Sequence, residues 1–335
     1  MATSPRTRIV STGMYVPSRV VTNKDLEKIM DTTDEWIQQR SGIKERRWVT
    51  DTDTTLNMGV TAARQALDRA KLKADDIDLI IFGGLVTDYV FPGTGVLLQR
   101  ELGFSSPVPA LDIRNQCSGF VYAISLADAW IRSGQYKRIL IVGSEVHSTS
   151  LDISTRGRDI SVLFGDGAGA AIVEACDEKS AHIIDSVLHS EGKYAEALTL
   201  AKPSSNDHPR LALEKPNDLS IYPKMDGKLV FKNAITRMVE VIHEILGRNN
   251  MTPKDLDFVI AHQANMRINQ MVLNQLEIPF EKTHHTLDRY GNTTMATIPI
   301  TFDEAVLLGK VKRGQTVVFV AFGAGFTWGA NLLKF

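Results

Sequence analysis

Cys117 stands in "DIRNQCSGFVYAISLADAWIRSG", where a short strand-like run hands over to a long, mostly apolar helix. It is one of two cysteines in 335 residues, the other being Cys176. A thiol at a helix N-terminus meets the positive end of the helix dipole and unpaired amide donors. Both favour the thiolate, and so a nucleophile. A small buried core residue is the commoner fate of a cysteine, and position alone serves either reading.

Two other residues have the right types and settings to join it. His262, in "DFVIAHQANMRI", falls just past the C-terminal end of a buried strand, where α/β folds place their sites. Asn292, in "LDRYGNTTMATIPI", lies in a glycine-containing turn before an apolar helix. A Cys–His–Asn set serves two chemistries. In a thiol hydrolase the histidine deprotonates the cysteine and the asparagine orients the histidine. In thioester condensation the cysteine is acylated, while histidine and asparagine donate hydrogen bonds to a developing enolate oxygen. Hydrolases of the papain type are usually disulfide-bonded, and two cysteines cannot build a disulfide framework.

Two glycine-rich stretches bear on the same chemistry. In "FVAFGAGFTWGANLL" the amides around Gly323, Ala324 and Gly325 are placed to form an oxyanion hole, and a tight turn between two strands fits equally well. "FGDGAGAAIVE" precedes a strand and lacks the full G-x-G-x-x-G spacing, so a dinucleotide site is not expected. Its glycines let backbone pass tightly behind the site.

The elements that must position these residues are written twice. "DIDLII" begins at Asp76 and "DLDFVI" at Asp255, 179 residues later. "ILIVG" begins at Ile139 and "VVFVA" at Val317, an offset of 178. Two pairs agreeing on one offset argue for a duplication, with an N-terminal half over 1–180 and a C-terminal half over 181–335. Adding that offset to Cys117 lands within a few residues of Asn292, so a pseudo-twofold brings the two face to face, with His262 beside them. Helical patterns alternate with Ile-, Val- and Phe-rich runs that lack polar alternation. That is the pattern of strands buried on both faces in a mostly parallel sheet, hence a layered α/β architecture. The polar stretch "EGKYAEALTLAKPSSNDHPRLALEKPNDLSIYPKMDG" reads as a long surface or lid loop.

Composition narrows the class. Lysine and arginine number 38 against 39 aspartates and glutamates, which gives no bulk surface for nucleic acid or a membrane. No Cys/His cluster has metal-ligand spacing, and no apolar run is long enough to span a bilayer. The expected setting is a reducing cytoplasm in which a thiol stays free.

Taken together, "NQCSGF", "LFGDGAGAAIVE", "MDGKLVFKNA", "HQANMRI", "DRYGNTTMATIPI" and "FGAGFTWGA" resemble the β-ketoacyl-acyl-carrier-protein synthase III enzymes of the thiolase superfamily. The similarity runs from "GMYVPSRVVTNKDL" to the last residues. It implies a thiolase-like fold, two duplicated halves in an α/β/α/β/α stack, acting as a homodimer without metal or redox cofactor. By the resemblance, Cys117 takes an acyl group from acyl-CoA. His262 and Asn292 then polarise a malonyl thioester carried on acyl-carrier protein as carbon dioxide leaves. The amides of Cys117 and Ala324 form the oxyanion hole, Ala324 standing where the family often has glycine. Thr32, Trp36, Arg40, Arg158 and Asn265 match coenzyme A contacts. Phe91 matches the residue that crosses the dimer interface and closes the partner's acyl pocket, and Lys232 and Arg267 match carrier-protein docking positions.

The chain also departs from the pattern. Arg114, Asn115 and Gln116 precede the cysteine where small residues are common, and "INQMVLNQLEIP" lacks the paired basic residues often found there. The alternatives are a specialised acyl-CoA condensing enzyme or acyltransferase of secondary metabolism, an acyl-CoA thiol hydrolase, and a non-catalytic acyl-CoA binder.

Overall fold

The computed structural model describes residues 5–177, 181–206, 208 and 219–335. Nine strands carry the architecture: β1 (Arg6–Tyr15), β2 (Leu79–Gly83), β3 (Ala110–Ile113), β4 (Arg138–Glu145), β5 (Gly167–Cys176), β6 (Ile183–Ser190), β7 (Phe258–Ala261), β8 (Thr316–Gly323) and β9 (Thr327–Lys334). They form one sheet in the order β1-β5-β4-β2-β3 and a second in the order β6-β9-β8-β7. The orders correspond strand for strand, β7 taking the place of β2 and β8 that of β4. At the position of β3 the second sheet has only a single parallel bridge, Val259 to Thr283.

The expectation of mostly parallel sheets needs correction. β4 pairs in parallel with β2, and β2 with β3, but β4–β5 and β5–β1 are antiparallel. In the second sheet only β7–β8 is parallel. The reason is local at β8 and β9: the three residues between them can only reverse the chain, and no crossover helix fits there. Strands covered on both faces are apolar throughout in either direction, so composition does not reveal orientation.

Among the described residues, seven helices have eight residues or more: α1 (Asp34–Ser41), α2 (Thr55–Ala70), α3 (Thr94–Leu102), α4 (Gly119–Arg132), α5 (Gly227–Arg248), α6 (Met266–Gln275) and α7 (Thr297–Leu307). α2 and α3 pack on the outside of the first sheet, and α5, with α6 against it, on the outside of the second. α4 touches strands of both sheets, as does α7, so these two form a central layer. The result is an α/β/α/β/α stack with one apolar core outside each sheet and one between the sheets. The middle core joins Phe120 and Ile124 of α4 and Phe302 of α7 to Ile141 and Phe319 of the strands. Full burial of each such side chain contributes about 1.5–3 kcal/mol, which explains why α4 is apolar on nearly every face.

Local chemistry fixes the helix ends. Thr54 and Asp226 cap α2 and α5 with side-chain oxygens that accept backbone N–H groups, and Gly42 ends α1 in the left-handed conformation at φ 83°. A ladder of Arg19–Thr22 against Glu45–Trp48 flanks α1. Fully buried Arg46 ties this region to the body by donating to Asn23 Oδ1 (2.8 Å) and the Val162 carbonyl (2.8 Å). The polar stretch that reads as a lid has paired ends, Leu198–Thr199 against Lys224–Met225. Its middle, residues 207 and 209–218, lies outside the described residues, as do residues 178–180 at the expected boundary between the halves. None of the described helices is long and apolar enough to cross a membrane.

Candidate active site

Cys117 sits in a single turn of 3-10 helix, Gln116–Ser118, that leads directly into α4. Its Sγ receives hydrogen bonds from its own backbone N–H and from that of Ala324. Ala324 follows β8, so the turn that the sequence marks as a candidate oxyanion hole does meet the thiol. The approach is close: a Cβ placed on Gly323 would lie 2.7 Å from Cys117 Cβ, which only glycine avoids.

The ionisation of the thiol is not what a helix N-terminus alone suggests. Burial pushes the Cys117 thiol up to about 12, with the negative charge of Glu145 adding to the rise, while the two amide bonds only partly offset it. The resting nucleophile is therefore a thiol.

His262 follows β7, and its backbone N–H donates to the Val320 carbonyl of β8 at 2.8 Å. The imidazole is buried, which pulls it down to about 3 and keeps it neutral. Nδ1 lies 2.7 Å from the Thr297 hydroxyl, and Nε2 is buried without a partner. Asn292 is held by backbone bonds to the loop before β5. Its N–H donates to the Leu163 carbonyl (2.8 Å) and its carbonyl accepts from Gly165 N (3.1 Å). At Gly165 a Cβ would fall 2.0 Å from the Tyr290 carbonyl, so the glycine-rich stretch does let backbone pass tightly behind the site. Asn292 Oδ1 accepts from Thr294 N at 2.8 Å, which leaves the amide NH2 as the donor facing away from that bond.

The three residues are stitched to one place. β8 meets Cys117 through Gly323 and His262 through Val320, while the segment after Asn292 meets His262 through Thr297. Two non-glycine residues here have left-handed backbone, Gln116 (φ 41°) and Thr294 (φ 44°). One immediately precedes the cysteine and the other follows Asn292 by two. Such strain costs about 1–3 kcal/mol per residue and persists where a site needs the geometry.

Behind the thiol lies a polar group that sequence reasoning missed. Glu145, fully buried at the end of β4, accepts from Leu85 N at 2.9 Å through one oxygen, while Oε1 has no partner. Burial raises its carboxyl to about 7. His147 approaches it at 3.9 Å and Thr294 Oγ1 at 3.3 Å, and burial pulls this imidazole down to about 4. Asp166 accepts from the backbone of His147 at 2.6 Å. The signal was present in "SEVH", where Ser144, Glu145 and His147 come directly after the buried run "ILIVG".

A cavity of about 820 Å³ opens beside α1, and its lining includes Trp36, Arg40, Phe231, Asn265 and Arg267. Guanidinium carbons of Arg40 and Arg158 lie 4.6 and 5.1 Å from the Trp36 ring centroid, an arrangement suited to a flat base and to phosphates. Arg158 and Thr32 are not among the lining residues, although Arg158 binds the Asp31 carbonyl next to Thr32. Asn265 caps α6 and donates to the Arg40 carbonyl at 2.8 Å, which connects the cavity to His262 three residues earlier. Arg267 stacks over Phe231 at 5.4 Å at the rim, whereas Lys232 points to solvent outside it. Phe91 is 83% exposed, beside exposed Val90 and Tyr89.

Known proteins resemble the chain over its length. Residues 111–192 match the family described as 3-oxoacyl-[acyl-carrier-protein (ACP)] synthase III, and residues 246–335 match its C-terminal part. A β-ketoacyl-[acyl-carrier-protein] synthase III of Methylococcus capsulatus is 42% identical over 98% of both chains. The crystal structure of 3-oxoacyl-[acyl-carrier-protein] synthase III from Aquifex aeolicus superposes with a TM-score of 0.89. It is 41% identical and covers 98% of this chain and 100% of that one. The priming β-ketosynthase of the R1128 polyketide pathway is 32% identical at the same TM-score, over 99% of this chain and 98% of its own. The chain belongs to the 3-oxoacyl-[acyl-carrier-protein] synthase III family.

Proposed function

We propose that the protein condenses an acyl-CoA primer with malonyl-acyl-carrier protein, with loss of carbon dioxide, to give a 3-oxoacyl thioester in fatty acid biosynthesis. The observation that carries the reading is the pairing of two donor sets around one buried thiol. Amides of Cys117 and Ala324 reach the sulfur, and a neutral imidazole with an unpartnered Nε2 stands at the same seam.

The chemistry follows in two balanced steps. Cys117 sulfur attacks the acyl-CoA carbonyl, the Cys117 and Ala324 amides hold the oxyanion, and the thiol proton leaves with coenzyme A. The malonyl C–C bond to the carboxylate then breaks, releasing carbon dioxide, and its electron pair becomes an enolate. His262 and Asn292 donate to that enolate oxygen. The enolate carbon attacks the acyl-cysteine, and the expelled thiolate takes up a proton from solvent. Decarboxylation supplies the carbanion, so no metal or redox cofactor is called for.

Trp36, Arg40 and Arg158 hold the nucleotide end of coenzyme A, with Thr32 beside them and Asn265 along the path inward. Arg267 at the cavity rim, with Lys232 near it, receives the acidic carrier protein. The protein is a cytoplasmic homodimer whose halves, 1–180 and 181–335, contribute the nucleophile and the enolate donors respectively. The exposed apolar loop of Tyr89, Val90 and Phe91 supports the dimer, in which Phe91 closes the partner's acyl pocket.

Intact-protein mass after incubation with acyl-CoAs from acetyl to dodecanoyl tests this, with Cys117→Ala as control. An adduct lost in the variant, and converted to a 3-oxo product with carbon dioxide on adding malonyl-acyl-carrier protein, is expected. Free acid and coenzyme A without condensation would overturn it in favour of hydrolysis.

A further inference from the structure

Arg40, in the last turn of α1, carries a counter-charge from another part of the chain. Its guanidinium is engaged on two sides. The central carbon stands 4.6 Å from the Trp36 ring centroid, and Nη1 donates to Asp159 Oδ1 at 3.2 Å. Asp159 belongs to the helical turn Arg158–Ser161, and both members of the pair line the cavity beside α1.

Other acids around that cavity have duties in the fold. Asp152 accepts from Ser154 N and Oγ at 3.1 and 2.6 Å and pairs with Arg156 at 2.7 Å. Asp226 caps α5 by accepting from Leu229 N. Asp159 is placed differently. Its side chain is 70% exposed and meets Arg40, itself 59% exposed. An exposed pair of this kind adds little to folding stability. Its effect falls instead on an incoming phosphate. A guanidinium that already faces a carboxylate presents less net charge to the anion, and the anion meets a like charge beside its place.

We infer that Asp159 tempers the grip on coenzyme A: it competes with the phosphates for Arg40 and takes the guanidinium back as coenzyme A leaves. The inference rests on the contact given to Arg40 in the proposed function. Acylation there leaves free coenzyme A beside Cys117, and the malonyl thioester must then reach the same sulfur. A nucleotide end held at full strength would obstruct that second half-reaction. Asp159 is a positioning residue in this scheme, acting through Arg40 and touching no reacting atom, and it favours release over retention.

The test uses the full-length protein with Asp159→Asn, which removes the charge, and Asp159→Glu, which keeps it. Calorimetric titration with free coenzyme A gives Kd, and steady-state kinetics give its inhibition constant as a product. Asp159→Asn should lower both by roughly 2- to 5-fold, the range that an exposed ion pair supports, with Tm unchanged. Asp159→Glu should stay near the wild type. The gain should shrink as salt rises from about 0.01 M to about 1 M, where the screening length falls from about 30 Å to about 3 Å. Acylation by acetyl-pantetheine, which lacks the nucleotide, should proceed alike in all three proteins. In an Arg40→Gln background the same Asp159→Asn change should gain little, because the two residues act as one unit.

Unchanged coenzyme A affinity in Asp159→Asn would overturn the inference, as would a gain that persists at high salt or survives undiminished in Arg40→Gln. An equal change with acetyl-pantetheine, or an Asp159→Glu that behaves like Asp159→Asn, would reduce the residue to shaping the cavity and overturn it as well. A wild type that neither binds coenzyme A nor forms acyl-cysteine would instead defeat the function reading itself. A wild type that does both, beside an Asp159→Asn of unaltered affinity, defeats only this inference.

Discussion

Replacing Glu145 by glutamine gives the most quantitative check on the electrostatics of the site. The carboxyl is fully buried, and its ionisation rises from an ordinary 4.5 to about 7, chiefly through burial. Between those values the folded protein holds a proton that the unfolded chain has released. Stability is therefore lost as pH climbs through that window, and the whole penalty is present above about 7. At about 1.4 kcal/mol per pH unit, the interval corresponds to roughly 3 kcal/mol. Glutamine stays neutral and keeps an oxygen for Leu85 N, with its NH2 in the place of Oε1, which has no partner in the wild type. Whatever the difference at pH 4.5, it should therefore move in favour of Glu145→Gln by about 3 kcal/mol by pH 8. His147 and His262, both pulled down by burial, lend the opposite slope at acid pH, where charging them costs stability. That contribution is common to both proteins and cancels in the difference. Guanidinium unfolding of both proteins at matched concentration across this pH range measures the difference. A gap that does not change with pH would refute the reasoning, because it would mean that Glu145 is charged in the fold without penalty.

Asn292→Ala and His262→Ala should each spare acyl-cysteine formation while cutting condensation by about 100- to 1,000-fold, read by mass and by product formation respectively. Gly323→Ala should abolish acylation, since its methyl would lie 2.7 Å from Cys117 Cβ and must displace the nucleophile; intact mass with acetyl-CoA checks this. Trp36→Ala should weaken acyl-CoA binding with little effect on the malonyl half-reaction, measured as a rise in KM for acyl-CoA alone.

Much of this was legible before any fold was known, because the signals were junctions. Cys117, His262 and Asn292 each stand where a buried run meets a turn or a helix, and two offsets one residue apart related Cys117 to Asn292. Strand direction was not legible, since β5 and β9 read as apolar whichever way they run. The ionisation of Cys117 was misjudged for a related reason. Helix position is visible in "QCSGF", but the depth of burial and the approach of Glu145 come from segments distant in sequence. Thr297 and Thr294 were hidden in "NTTMAT", where hydroxyls at a helix start pass for ordinary caps. Trp36, Arg40 and Arg158, proposed to face the nucleotide, came from the resemblance. Nothing in "TTDEWIQQRSG" and "TRGRDI" separately announces that their side chains meet.

The suppressed ionisation of Cys117 has a consequence beyond the reaction. Peroxide, disulfides and alkylating electrophiles all attack thiolates, and at neutral pH this sulfur offers almost none. The idle enzyme should therefore survive oxidants that inactivate low-pKa cysteine enzymes. Its reactivity is produced by the arrival of a thioester in the amide cradle, so an inhibitor that carries its own acyl-like recognition will find this sulfur far sooner than one that relies on a hot warhead.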